Sequence, residues 1–144
     1  MASGSAGIPR FRPFSIMNPL KSPILLQNAK VIAGRGRGKG LGIPTINIDL
    51  SAVPKDLEHG IYACRITLAG KTYKGAMHYG PRLVFKDSVT FEVHIIDEAI
   101  DSVPETADIE IVGFIRPVQD FPNPEALVER IRRDIEEARA MLSA

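Results

Sequence analysis

From Ile46 to Ile115 the apolar residues recur at every second position, and no stretch between them repeats every three or four. Ile46, Ile48 and Leu50 alternate with Thr45, Asn47 and Asp49. Tyr62, Cys64, Ile66 and Leu68 share one face of the run from Ile61 to Leu68. Val89, Phe91, Val93 and Ile95 alternate with Thr90, Glu92 and His94. From Asp108 to Arg116, Ile109, Ile111 and Ile115 keep the same parity, and Gly113 thins that face. A period of two marks strands with one apolar and one polar face. Parallel strands need crossover connections, usually helical, and none is available here. The strands must therefore pair antiparallel, in a barrel or a sandwich, and spacing leaves both open.

The connections fit that reading. Ala69-Gly70 is a tight turn from which Lys71 to Tyr79 returns, which makes a β-hairpin. Lys30 to Ala33 is a short strand, Ser51 to His59 a loop or helical turn, and Asp97 to Thr106 a mobile polar loop. The C-terminal end changes period. Asn123 suits an N-cap and Pro124 the first helical position. Leu127, Ile131, Ile135, Ala138 and Leu142 then form one apolar stripe. Glu129–Arg133 and Arg132–Glu136 are spaced to pair across a turn, and the charges read as a solvated face. Pro9, Pro13, Pro19 and Pro23 interrupt any helix near the N-terminus. Residues 1–28 are therefore expected to be a flexible or extended arm, touching the barrel through Phe11, Phe14, Ile24 and Leu25. The domain proper is expected to span 29–144.

At 144 residues the chain has the length of one domain. A net charge of +1 gives no global field toward nucleic acid or membrane. No apolar run approaches the roughly 20 residues that cross a bilayer. Cys64 is the only cysteine, which fits a reducing cytoplasm and excludes a disulfide framework.

The polar chemistry concentrates in Gly34 to Asp49, GRGRGKGLGIPTINID. Its first nine residues hold five glycines, two arginines and one lysine. Glycines at alternate positions let successive backbone N–H groups form a nest for an anion, with basic side chains around it. Thr45 and Asn47 follow at once and project from one face of a strand. A hydroxyl and an amide oxygen so placed can hold a Mg²⁺ that also binds phosphate oxygens, provided the nucleotide supplies most of the charge. The stretch is neither a Walker A loop nor a dinucleotide fingerprint. Taken alone, it is equally a flexible basic loop or an RGG-like segment that binds RNA.

Read through Gly36-Arg37-Gly38-Lys39-Gly40-Leu41-Gly42 to Pro44-Thr45-Ile46-Asn47, this stretch resembles the signature of the ATP-dependent riboflavin kinases, the flavokinase family. The resemblance runs from about Ala29 to Leu142. It implies a closed six-stranded antiparallel Greek-key barrel with a C-terminal helix. It also implies a nucleotide cradle of Gly34, Gly36, Arg37, Gly38, Lys39, Gly40 and Gly42, with Thr45 and Asn47 as ligands of Mg²⁺. Phe91-Glu92-Val93-His94-Ile95 looks like the family's Glu-x-His strand, which makes Glu92 the base for the 5′-hydroxyl of riboflavin. His94 then reads as a structural hydrogen-bonder, with His78 and His59 incidental. Arg116 and Arg82 are the candidates on the flavin side.

The implied activity is transfer of phosphate from ATP to riboflavin, giving FMN, by a monomer in the cytoplasm with no membrane or nucleic-acid partner. Bacterial relatives often carry an adenylyltransferase domain ahead of this one. The residues before Ala29 are too few for it, so no FAD synthesis is expected. The chain departs from the family in several places, among them Arg82-Leu83-Val84-Phe85 for a common Arg-Pro-Thr-Phe run and Ile46 for the usual alanine, and two departures matter most. His78-Tyr79-Gly80 stands where Asn-Ile-Gly is common, and the segment from Asp97 to Pro104 lacks the usual aromatic residues. Since a flavin ring calls for apolar or aromatic walls, the second departure keeps open a non-catalytic flavin- or nucleotide-binding module. An RNA-binding barrel is the third reading, and the chain has no Trp and 6% aromatics for the stacking platform such proteins use.

Overall fold

The computed structural model describes residues 19–33, 43–81, 88–100 and 102–143. Among these are six strands and one α-helix: β1 (Pro19–Ile32), β2 (Thr45–Ile48), β3 (Gly60–Leu68), β4 (Lys71–Pro81), β5 (Val89–Ile95), β6 (Thr106–Arg116) and α1 (Pro124–Ser143). The strands lie in the order β1-β2-β5-β4-β3-β6, and β6 pairs back onto β1. Every pairing is antiparallel. The expected six-stranded antiparallel sheet with a C-terminal helix is therefore present.

The β3–β4 hairpin turns where expected. Ala69 has φ 50 and Gly70 φ 86, the positive values that a two-residue primed turn demands. The N-terminal segment behaves differently from expectation. Residues 19–28 are strand, paired with β6, rather than an arm outside the domain. The prolines do not exclude them because the register slips between Pro19 and Ile24, where Pro23 sits, and again between Leu26 and Ala29. Bulges take up residues that cannot join the ladder. Asn28 occupies the second slip with φ 56, and its N–H donates to Asp108 Oδ1 at 2.8 Å. Leu26 rather than Leu25 is buried; Leu25 is 65% exposed. Phe11 and Phe14 lie outside the described residues.

Inside the ring sits the main core, which includes Ile46, Ile66, Met77, Phe91, Val93 and Ile111. Cys64 is fully enclosed there, and burial pushes its thiol up to about 12. Leu50 was expected on this face. Instead β2 ends at Ile48, and Leu50 opens a 3₁₀ turn through Ala52, 45% exposed. The Asp49 carboxylate accepts from Ser51 N at 2.8 Å, a local bond that competes with the ladder.

A second apolar layer lies outside the ring. Ile61, Ala63, Ala76 and Ile115 pack against Ala138, Met141 and Leu142 of α1. Ile115 was expected inside with Ile109 and Ile111. The register slip between Cys64 and Ala63 moves it out: Cys64 faces Ile111 but Ala63 faces Gly113, so beyond Val112 the parity reverses. The helix is capped as its sequence predicts, with Asn123 Oδ1 accepting from Ala126 N at 2.8 Å. Its charges are not all solvated: Asp134 is 3% exposed. Ion pairs on the helix join Arg130 to Asp134 and Arg139 to Glu136, rather than the pairs expected from spacing.

Candidate active site

The strand registers place a row of side chains across the outer face of the sheet. Asn47 on β2 pairs with Glu92 on β5, Glu92 with His78 on β4, His78 with Ile61 on β3, and Ile61 with Arg116 on β6. Cross-strand partners on one face hold their Cβ atoms about 4.5–5.5 Å apart. Asn47 and Glu92, both half-buried, are thus immediate neighbours. Thr45 stands two residues from Asn47 on the same face, opposite His94. Its Oγ1 lies 3.1 Å from His94 Nδ1 and 3.2 Å from the Ile43 carbonyl oxygen. His94 is 4% exposed, and this bond to Thr45 agrees with the structural part expected of it.

Period two explains the grouping. Ile46, Val93 and Met77 fill the core, so their neighbours along each strand must point out. Helix α1 covers Ile61, Ala63 and Ala76. Thr45, Asn47, Glu92 and His78 lie at or beyond that cover. Sequence reading took His78 as incidental, yet it is 5% exposed and sits directly beside Glu92. The available signal was its parity with Glu92, which has no meaning until the register of β4 against β5 is known.

Arg116 closes the row three strands from Glu92, on the order of 14 Å along the sheet at about 4.8 Å per strand. It is 9% exposed. Its Nε and Nη2 donate to the two carboxylate oxygens of Asp134 at 2.8 and 2.7 Å, and its Nη1 donates to Pro117 O at 3.1 Å. The guanidinium also lies over the Phe121 ring, 5.7 Å from its centroid. Arg116 therefore ties the end of β6 to the helix. Asp134, which completes the tie, escaped sequence reading because it falls within a charged run.

A cleft of about 420 Å³ opens between the start of β2 and the helix. Ile43, Pro44, Ile95 and Ile96 give it an apolar side, and Asp97, Glu136 and Arg139 a charged one. Arg139 donates to both oxygens of Asp97 at 2.9 and 2.7 Å. Those hydrogen bonds hold the Asp97 carboxyl below its usual range and raise Arg139 above its own. Glu98 pairs with Lys71 at 2.9 Å. The segment that lacks aromatic residues is thus fastened at its start by two ion pairs.

Among the described residues no cluster of three or more His, Cys, Asp or Glu is placed to hold a metal. Nor is any helix there long and apolar enough to cross a membrane. Gly34, Gly36, Arg37, Gly38, Lys39, Gly40 and Gly42 of the expected cradle, and Arg82 of the expected flavin side, lie outside the described residues.

A family model described as riboflavin kinase matches residues 21–142. The chain belongs to the riboflavin kinase family. The match takes in residues 21–28, in agreement with β1. The riboflavin kinase of Mus musculus is 36% identical over 120 residues, covering 78% of this chain and 77% of that protein. A bifunctional riboflavin kinase/FMN adenylyltransferase of Listeria monocytogenes is 32% identical over 118 residues, and the chain spans 37% of its length. In structure, the chain resembles a riboflavin kinase from Trypanosoma brucei with a TM-score of 0.54 at 24% identity, over 85% of this chain and 81% of that one. That likeness concerns the fold.

Proposed function

We propose that the chain transfers the γ-phosphate of ATP to the 5′-hydroxyl of riboflavin, giving FMN and ADP. The observation that carries the reading is the pairing of Asn47 with Glu92. It sets the proton acceptor beside the proposed cation ligands, on the strand that directly follows the glycine-rich stretch. Phosphoryl transfer asks for a phosphate cradle, a metal bridge and a group that orients the nucleophile. In this proposal Gly34 to Gly42, with Arg37 and Lys39, form the cradle. Glu92 orients the ribityl hydroxyl and takes its proton. Arg116 and Arg82 line the flavin side. Of its five N–H groups, Arg116 spends three on Asp134 and Pro117, and among the described residues the other two have no partner that would compete with a ligand.

Thr45 and Asn47 suit a hard cation through oxygen. The Thr45 hydroxyl has one proton, which Ile43 O or His94 Nδ1 can accept, and its lone pairs then stay available. A bound Mg²⁺ would neutralise charge on the transferred phosphoryl group. Both ligands are neutral, so the nucleotide must bring most of the binding charge. Asn47→Ala should accordingly raise the Mg²⁺ concentration for half-maximal rate by on the order of 10-fold, read from a Mg²⁺ titration at fixed ATP. An unchanged titration would place the metal elsewhere.

The ring of strand pairings supports a closed Greek-key barrel as the scaffold, and the single cysteine, Cys64, suits a reducing cytoplasm. The test is FMN formation from riboflavin, ATP and Mg²⁺, followed by chromatography with flavin fluorescence. Metal-dependent FMN is the expected result. Riboflavin binding without FMN would favour the non-catalytic module, which the ion-paired, aromatic-poor segment after β5 motivates. Neither binding nor turnover would leave only the phosphate half of the proposal.

A further inference from the structure

The row of side chains across the sheet ends in a guanidinium that is held more firmly than a tie between β6 and α1 requires. One bond would join the strand to the helix, and Arg116 makes three. Its Nε and Nη2 donate side by side to the two oxygens of Asp134 at 2.8 and 2.7 Å, and Nη1 donates to Pro117 O at 3.1 Å. A two-pronged bond to a carboxylate fixes the plane of the group as well as its place. The group also lies over the Phe121 ring. Asp134 is itself braced: Arg130 donates to its Oδ1 at 3.2 Å and to Glu137 Oε2 at 3.3 Å. Among the described residues two N–H groups of Arg116 keep no partner, one on Nη1 and one on Nη2. Nη2 gives Asp134 the N–H on its Nε side, so its other N–H points from the far end of the group, away from the carboxylate. Arg116 is 9% exposed, and a donor so buried costs stability unless something accepts from it.

We propose that Asp134 is a positioning residue for riboflavin binding, holding the Arg116 guanidinium so that its two remaining N–H groups meet a carbonyl oxygen of the flavin ring. The inference rests on the reading that places Arg116 on the flavin side of a riboflavin kinase. An unrestrained arginine occupies many rotamers, and gripping a ligand costs it that freedom. A guanidinium already fixed by the protein has lost the freedom before the ligand arrives, which strengthens binding without a new contact. Asp134 does this without touching riboflavin. Along the row Arg116 stands three strands from Glu92 and four from Asn47. Its orientation therefore bears on the flavin and leaves the nucleotide alone.

Three variants beside the wild type decide it: Asp134→Asn, Arg116→Gln and the two together. Asn keeps the size of Asp134 but offers one accepting oxygen in place of two. Gln and Asn side by side strand no charge between them, so the double variant keeps the fold where a single one is weakened. Equilibrium dialysis gives the dissociation constants for riboflavin and, separately, for a non-hydrolysable ATP analogue, at a temperature well below each thermal midpoint. Asp134→Asn is expected to weaken riboflavin by about 10-fold or more, the scale of one hydrogen bond to a charged group, with the ATP analogue within about 2-fold of wild type. In Arg116→Gln the same change should cost little further, because residues acting through one another are not additive. Riboflavin held as tightly by Asp134→Asn as by the wild type would overturn the proposal. So would equal weakening of both ligands, which marks a loosened fold, or an undiminished cost of Asp134→Asn once Arg116 is replaced. A wild type that binds no riboflavin would sink the kinase reading and this inference with it. Wild-type riboflavin binding that none of the variants alters would sink only the inference.

Discussion

Glu92→Gln should lower FMN formation by about 100-fold or more while leaving nucleotide binding close to that of the wild type, the usual loss for a general base. The substitution keeps size and shape at a half-buried strand position, while it removes the charge and the ability to take a proton and turns one accepting oxygen into an NH2 donor. The β5 pairings to Asn47 and His78 involve the backbone and persist. The loss should therefore appear in kcat, with KM for ATP nearly unchanged, which marks an interaction made in the transition state. Single-turnover measurement of FMN, beside equilibrium binding of a non-hydrolysable ATP analogue, separates the two. Turnover equal to wild type would remove Glu92 from the mechanism.

Asp134→Ala should destabilise the fold by about 3–5 kcal/mol, the range for breaking a buried pair by removing one partner. The side chains of Arg116 and Asp134 are 10% and 4% exposed, so solvent screens little of the interaction. Without Asp134, the guanidinium keeps its bond to Pro117 O and loses two charge-assisted ones. Arg130, 3.2 Å from the same carboxylate, loses a partner as well. In a domain of this size the midpoint should fall by on the order of 10 °C, measurable by thermal denaturation. Replacing both residues, as Arg116→Met with Asp134→Leu, should recover much of the loss, because the cost lies in the stranded charge. A double variant no better than Asp134→Ala would mean that Arg116 contributes through packing on Phe121 instead.

How much of this was legible in the residues depends on range. Alternation identified β2, β3, β5 and β6, because burial of one face leaves its mark within a single strand. The Ala69-Gly70 turn and the Asn123 cap were also readable, since a few adjacent residues determine each. What escaped was decided across the sheet. Prolines signalled a break before Ala29, but bulges against β6 accommodate the segment. Ile115 has the parity of a core residue and is carried outward by a register slip against β3. Asp134 looks like one more surface charge until Arg116 is known to end beside it. The candidate site divides in the same way. Thr45, Asn47 and Glu92 were found by motif, whereas the adjacency of Glu92 to His78 is a property of register.

Cys64 offers a way to watch the sheet itself. It is the single thiol of the chain, fully enclosed, and burial pushes its ionisation up to about 12. Only the thiolate attacks, so the closed sheet is inert to alkylating agents at neutral pH. Any modification then counts excursions in which the ring of strands comes apart, the rare end of the spectrum of native-state fluctuations. The chain thus carries its own clock for opening, with no engineered label. Cysteines introduced on the outer face could take a probe while Cys64 stays silent.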